Sequence, residues 1–395
     1  MHPSEGIRST KSKLLEGKRI VLGITGSIAA VECFELSREL IRHGAEVQAV
    51  ISPEALKLVT PDAIHFATGN EIISELDGRT QHIDLLGDYD DHADLLLISP
   101  CTANTISKMA LGIDDTAVTT MATVAIGGNI PVLVAPAMHA SMMKHPAVIK
   151  NMESLREMGV EFIGPRMEEK KAKVASVEEI VAATIRRLGP MDLSGRRVLV
   201  IGGASEEPID DVRFITNRST GETAVHLALA AWLRGADVEL WIGRVSYPIP
   251  SFIKSRSFQR VDDLLKMSGD MIEDIVIVPA ALSDYAPSIS NGKISSDLDY
   301  LSIDLLTVPK VLPKLRGGSQ FLIGFKAESN VSEEELIDRA RRRMKDYKLD
   351  LMVANDVNHV ATGRTTAFLL RANGTYDKYE GNKERLANII LDMVS

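Results

Sequence analysis

Hydrophobic positions in this chain fall in short unbroken runs, and the runs recur in the same order twice. A basic pair leads each pass, Lys18-Arg19 and then Arg196-Arg197, and an apolar stretch follows, Ile20 to Ile24 and Val198 to Ile201. Next comes a turn of small residues, Thr25-Gly26-Ser27 or Gly202-Gly203-Ala204-Ser205, and then an amphipathic helix. Each helix ends at a Gly-Ala-acidic corner, Gly44-Ala45-Glu46 or Gly235-Ala236-Asp237, that leads into a second apolar run. A third matching run lies at Leu95 to Ile98 and at Ile275 to Val278. Strands that are apolar at consecutive positions are buried on both faces, so the pattern predicts a parallel sheet with helices on each side, built twice. The fold class is therefore α/β, with two Rossmann-like three-layer domains and a nucleotide-type cleft in each.

The punctuation places the boundary between them. Ser176 and Glu179 have capping-box spacing at the start of a helix predicted over 177–188, and Gly189-Pro190 stop it. The first domain is expected over residues 1–190, opening on a loose polar arm through residue 16, and the second over 191–395. Near the end, 366–379 reads as a β-hairpin turning at Asn373-Gly374, so the second sheet carries an antiparallel edge. A final helix is expected over 383–394.

Hydrophobic and charged shares of 45% and 25% are those of an ordinary globular protein. A net charge of −9 argues against a nucleic-acid or anionic-membrane surface, which needs a clustered basic footprint. No apolar run approaches the roughly 20 residues that span a bilayer. The N-terminus has no apolar signal core, which points to the cytoplasm. The two cysteines, Cys33 and Cys101, exclude a disulfide framework or a Cys-rich metal site.

In open α/β sheets ligands sit beyond the carboxyl ends of the strands, at helix N-termini. In the first half those ends supply Thr25-Gly26-Ser27, Ser52-Pro53-Glu54, Pro100 to Asn104, and Pro136 to His139. All four are rich in small or hydroxyl residues, as a close phosphate and a flat ring require. A dinucleotide fits poorly: Gly23-Ile-Thr-Gly26 is not G-x-G-x-x-G, and the second strand ends at Ser52 rather than an acid. A mononucleotide with one phosphate fits better.

Gly26-Ser-Ile-Ala-Ala, Gln81-His82-Ile-Asp-Leu, Pro100-x-Thr-Ala-Asn104 and Pro136-Ala-Met-His-x-x-Met142 resemble the flavin-dependent cysteine decarboxylases of coenzyme A synthesis. The resemblance implies a flavodoxin-like, homo-oligomeric decarboxylase fold that binds FMN. Gly26, Ser27, Ser52, Thr102, Ala103, Asn104 and Met138 would hold the cofactor, and His82 would be the essential histidine. It implies that the cysteinyl moiety is oxidised by the flavin, loses CO2 and regains its electrons. His139 stands where the family has an Asn that grips the substrate carboxylate. The family's proton-donating Cys, in a flap before the last helix, has no counterpart in 166–176, which leaves the reprotonation step without an assigned donor; Lys170, Lys171, Lys173 and water are the candidates.

The second half opens with a long insertion, Gly202 to Gly221, carrying Asp210, Arg213 and Asn217, as a site for phosphate and carboxylate would. Beyond it lie Ala280-Ala281-Leu-Ser-Asp284, Gly292-Lys293, Pro309-Lys310, Gly324-Phe325 and a helix over 334–348 with Arg339 and Arg343 one turn apart. These segments resemble the phosphopantothenate–cysteine ligase domain, and the order of both halves resembles the fused bifunctional family over about 17–395. The resemblance implies CTP, an acyl-cytidylate handled by Asn217, and Mg²⁺ or Mn²⁺; its ligands are open, with Asp284, a carboxylate at a strand end, the candidate. Ala280, Ala281 and Asp284 would contact the cytidine, Lys293 the phosphates and Phe325 the base, with Pro309, Lys310, Arg343 and Tyr347 completing the nucleotide site. It also implies a trimer-based front half and paired ligase domains, acting on small molecules only. Two departures stand out. Glu222 replaces a Lys, removing a positive charge near the phosphate, and Tyr347 replaces another. Two other readings compete: a ligase whose flavin-binding half is catalytically silent, because of the absent Cys, and an NADP-dependent reductase using Arg244.

Overall fold

The computed structural model describes residues 2–394 except 89, 169–170, 271, 291, 296–299, 317–319 and 357–362. The chain divides into two compact units, Met1–Pro190 and Met191–Ser395.

The first unit is built on β1 (Arg19–Ile24), β2 (Glu46–Ile51), β3 (Leu95–Cys101), β4 (Val132–Pro136) and β5 (Glu161–Phe162), in the order β2-β1-β3-β4-β5. Every neighbouring pair is parallel. Val21, Leu96, Ile98 and Val134 pack against helices Ala103–Ala110, Ala117–Gly127 and Pro146–Glu157. The alternate positions, Ile20, Leu22 and Leu97, point the other way and are equally buried. Helices Cys33–Arg42, Pro61–Thr68 and Val177–Leu188 form the opposite layer. Ser176 Oγ caps the last of these by accepting from Glu179 N at 3.2 Å, as its spacing predicts. A short antiparallel hairpin, β6 (Arg166–Glu168) with β7 (Lys171–Lys173), precedes that helix.

The N-terminal segment is not the loose arm its polarity suggests. Its N–H groups cap the exposed end of helix Cys33–Arg42: Ser9 donates to Ile41 O (3.1 Å), Lys11 to Arg42 O (3.0 Å) and Leu15 to His43 O (2.9 Å). Leu15 is fully buried, and Arg8 donates to Ala45 O at 2.8 Å. Carbonyls at a helix end need donors, and polar chain supplies them as well as solvent does.

The second unit contains β8 (Arg197–Gly202), β9 (Glu206–Pro208), β10 (Phe214–Thr216), β11 (Asp237–Ile242), β12 (Lys254–Ser257), β13 (Ile275–Val278), β14 (Tyr285–Pro287), β15 (Leu305–Thr307), β16 (Phe321–Glu328), β17 (Leu351–Asp356), β18 (Arg364–Arg371) and β19 (Tyr376–Asn382). Eight of these form one sheet, β12-β11-β8-β13-β16-β17-β18-β19, in which every pair is parallel except β17–β18 and β18–β19. The β18–β19 hairpin turns at Gly374 (φ +88°), with Asn373 Oδ1 accepting from Thr375 N at 3.0 Å. Helices Glu222–Leu233 and Lys383–Asp392 cover one face, and Val261–Met267 and Glu333–Asp346 the other.

Glu222 does not face a ligand. It is 4% exposed, and its carboxylate pairs with buried Lys383 at 2.5 Å while accepting from Gly363 N at 3.0 Å. The pair stitches the first residue of one helix to the first residue of the C-terminal helix, so the charge that distinguishes this position is internal. Removing one partner of a buried ion pair leaves the other uncompensated. Glu222→Ala or Lys383→Ala should therefore destabilise the second unit by about 3–5 kcal/mol in urea unfolding, while Glu222→Met with Lys383→Met recovers most of that. Equal losses in the single and double variants would show that the pair contributes nothing.

Candidate functional site

In the first unit the strand order reverses between β1 and β3, and a cleft opens outside their carboxyl ends, as it does at such switch points. A cavity of about 320 Å³ occupies it. Gly26, Ser27, Ser52, Thr102, Ala103, Asn104 and Met138 all line it, together with Glu54, Thr105, Lys108, Thr116, Thr119, Ala137 and Met142.

Hydroxyls organise the rim. Thr25 Oγ1 donates to Pro100 O (2.7 Å) and accepts from Thr102 N (3.0 Å), fixing the end of β3 against the end of β1. Thr102 caps helix Ala103–Ala110 through Thr105 N at 3.2 Å. Thr116 and Thr119 form a reciprocal capping box on helix Ala117–Gly127. Two helix N-termini thus open on the cavity, with N–H groups and positive dipole ends that favour an anion. Lys108 reaches the same space while paired with Asp115 at 2.7 Å. A Cβ at Gly26 would run into the Glu54 side chain, so the turn closes only with glycine. Volume, hydroxyl rim and apolar flank from Ala137, Met138 and Met142 fit a flat ring bearing one phosphate.

The two histidines lie off the cavity lining. His139 is exposed and caps helix Ala140–Met143: Nδ1 accepts from Ser141 N at 3.2 Å. A backbone N–H can only donate, so Nδ1 carries no proton in the neutral ring and Nε2–H is the free donor. His82 sits on helix Gln81–Leu86, and its Nδ1 is buried without a hydrogen-bond partner among the described residues. Buried polar atoms are nearly always paired, so this nitrogen marks a contact still to be made. Sequence reasoning passed over Thr116, Thr119 and Lys108. The T-x-x-T spacing of a capping box, and Lys108 one turn beyond Asn104, were the available signals. The side chains of Lys170, Lys171 and Lys173 lie outside the described residues.

In the second unit the strand ends around β8 and β13 carry the expected residues in separate groups. Ala204 bridges to both Arg244 and Ala281. Asn217 Nδ2 donates to Ala281 O at 3.0 Å, and Ser205 Oγ accepts from Ser283 N at 3.0 Å, which brings Asn217, Ala280 and Ala281 together. Asp284 pairs with Lys310, and Val308 N donates to Asp284 O at 3.1 Å, placing Pro309 beside them. Lys293 is exposed on the following loop, and Phe325 is half-buried on β16. Arg343 and Tyr347 line a different hollow of about 290 Å³, with Lys326, Glu328, Arg339, Arg342 and Asp346. The Arg343 guanidinium lies over the Tyr347 ring at 5.5 Å, so the tyrosine supports a cation where the resemblance expects one. No group of three or more His, Cys, Asp or Glu that could hold a metal occurs among the described residues.

A nucleotide-type cleft at the switch point of one parallel sheet, followed by a second sheet with an antiparallel edge, defines a two-unit α/β nucleotide-binding protein. The flavoprotein family model matches residues 8–189, and the model for the C-terminal domain of DNA/pantothenate metabolism flavoproteins matches 193–395. The chain is 47% identical over 363 residues to the coenzyme A biosynthesis bifunctional protein CoaBC of Thermococcus kodakarensis, covering 90% of this chain and 89% of that one. It is 39% identical over 401 residues to CoaBC of Methanocaldococcus jannaschii, covering 100% and 97%. The solved DNA/pantothenate metabolism flavoprotein from Streptococcus pneumoniae is 26% identical, with a TM-score of 0.47 over 50% of this chain and 97% of that one. The chain belongs to the CoaBC family of bifunctional coenzyme A biosynthesis proteins. It is a bifunctional enzyme, a flavoprotein decarboxylase joined to a ligase. The comparisons support neither the silent-half reading nor the reductase. No described helix is long and apolar enough to cross a membrane.

Both cysteines are removed from chemistry by burial. Cys33 Sγ donates to Ser99 O at 3.1 Å, and Cys101 lies beneath the cavity rim. Burial pushes both thiols well above their usual range, with Glu32 adding to the effect at Cys33. Thiolate is the reactive form, so neither group should react with a disulfide reagent in the native chain, and both should react on unfolding. Prompt titration of one thiol in the folded protein would contradict this.

Proposed function

We propose that the second unit joins 4′-phosphopantothenate to cysteine using CTP, through an acyl-cytidylate, and that the first unit decarboxylates the product, 4′-phosphopantothenoylcysteine, to 4′-phosphopantetheine with FMN. The observation that carries the reading is the cavity at the β1–β3 switch point, where hydroxyl-capped helix ends meet an apolar flank. FMN supplies the reversible two-electron oxidation that lets the cysteinyl carboxylate leave as CO2.

Ser27, Ser52 and the turn at Gly26 hold its phosphate. Ala103, Asn104 and Met138 orient the ring system. His139, with Nε2–H outward, donates to the substrate carboxylate, and His82 completes the active site through its unpaired ring nitrogen. In the second unit Asn217 positions the activated carboxyl beside Ala280 and Ala281, while Asp284 and Phe325 face the cytidine. Lys293, Lys310 and Arg343, with Mg²⁺ or Mn²⁺, offset the triphosphate charge as pyrophosphate departs. With no cluster of three or more acidic ligands among the described residues, the ion would be held chiefly by the phosphates, as Mg²⁺ commonly is, with Asp284 as its protein ligand. Pro309 shapes the site beside Asp284 and Lys310, and Tyr347 backs Arg343 in the separate hollow that those two line. The enzyme works as a homo-oligomer in the cytoplasm, trimer-based in its front half and dimeric in its ligase half.

The test supplies phosphopantothenate, cysteine, Mg²⁺ and either CTP or ATP, and follows CMP or AMP, pyrophosphate and CO2. His82→Asn should stop CO2 release and spare CMP formation; Asn217→Asp should block the ligated product and spare decarboxylation of added 4′-phosphopantothenoylcysteine. Loss of both activities in either variant would overturn the division of labour. Gly26→Ala should yield colourless protein, measured by flavin absorbance, with the ligase intact; a yellow variant would remove the Gly26 turn from the cofactor site.

A further inference from the structure

The insertion between β8 and helix Glu222–Leu233 contains a carboxylate that faces no ligand space. Asp210 follows β9, and its side chain is wholly buried. It accepts from Val212 N at 2.8 Å and Arg213 N at 2.7 Å on its own turn, and from Ile294 N at 3.0 Å, 84 residues away. Two more bonds fasten the same distant stretch: Arg213 Nη2 donates to Ile294 O at 2.6 Å, and Ser290 N donates to Ile209 O at 3.0 Å. Between those anchor points sits Lys293, preceded by Gly292 at φ +76°. Lys293 is exposed and makes no ion pair with a described residue.

A buried carboxylate is costly unless its oxygens are paired. Burial opposes ionisation of Asp210, but the three N–H donors and Arg213, 3.5 Å from Oδ2, outweigh it and hold the carboxyl below its usual range. The site is therefore built around an ionised carboxylate, which grips the backbone just after Lys293 at Ile294 N, while Ile209 O, on the residue before Asp210, holds the stretch before it through Ser290 N. A lysine on an unanchored loop would have to order both its backbone and its side chain on meeting a phosphate. With the backbone anchored, only the side chain remains to be ordered.

We propose that Asp210 is a positioning residue for the ligase reaction: it holds the turn that carries Lys293, so that this lysine meets the nucleotide's phosphates from a fixed base. The inference rests on the reading of Lys293 given above and adds the residue that sets its place. Arg213 is the second strap, through Ile294 O.

Three full-chain variants test it. Asp210→Ala removes the acceptor, Ile294→Pro removes one donor while keeping the carboxylate, and Lys293→Ala removes the positioned group. Loss of positioning should lower kcat/KM for the nucleotide in pyrophosphate release by about ten- to a hundredfold in the first two, leaving KM for cysteine unchanged. Asp210→Ala combined with Lys293→Ala should be no slower than Lys293→Ala alone, because a residue acting only through another adds nothing once that one is gone. Independently of nucleotide chemistry, trypsin should cut after Lys293 faster in Asp210→Ala than in the parent chain. Multiplying losses in the double variant, or unchanged cleavage, would overturn the strap. An inert Lys293→Ala would instead bring down the phosphate reading of Lys293, and the catalytic role of Asp210 with it. Should Asp210→Ala fail to fold, Ile294→Pro carries the kinetic comparison.

Discussion

Burial of parallel strands on both faces is the constraint from which the rest of this molecule follows. Once helices cover each side of a sheet, polar chemistry has nowhere to go except the loops beyond the strand ends. There the unsatisfied N–H groups of incoming helices make one edge attractive to anions. The first unit uses this directly: Thr25 ties β1 to β3, while Thr102 and Thr116 cap the helices that open on the cavity. The second unit uses the same edge differently. Its long insertion folds β9 and β10 over the strand ends and brings Asn217 to Ala281.

The two units also handle charge differently. Around the first cavity the fixed dipoles and hydroxyls do most of the work, and Lys108 is already neutralised by Asp115. The second unit concentrates formal charge in pairs and groups: Asp284 with Lys310, Glu328 with Lys326 and Arg339, and the four cations lining the hollow beside Tyr347. Oriented amides and hydroxyls suit a single anion, whereas clustered mobile cations suit a more highly charged one.

Much of this was legible in the sequence because its determinants are local. Consecutive apolar residues gave β1, β3, β8 and β13, Ser176-x-x-Glu179 gave the last helix of the first unit, and Asn373-Gly374 gave the edge hairpin. The four turns rich in small and hydroxyl residues converge on one cavity because each lies at a strand end on the same edge. What escaped depends on partners far along the chain. Glu222 looked like a lost cation near a ligand until Lys383, 161 residues later, took its charge inside. Asp210 looked like a ligand-facing acid, but its oxygens are committed to backbone from two loops. The polar opening segment looked unstructured because its role, capping another helix, leaves no apolar periodicity to read.

The Glu222–Lys383 stitch has a consequence for how the protein is made. Lys383 lies within the last helix, so during synthesis it is still inside the ribosome when Glu222 and the strands around it have emerged. The nascent second unit must keep Glu222 solvated until Lys383, 161 residues later, has emerged to supply the counter-charge. The first unit is a compact body of its own within Met1–Pro190 and can close before Lys383 is made, so the two halves mature at different times on the same polypeptide.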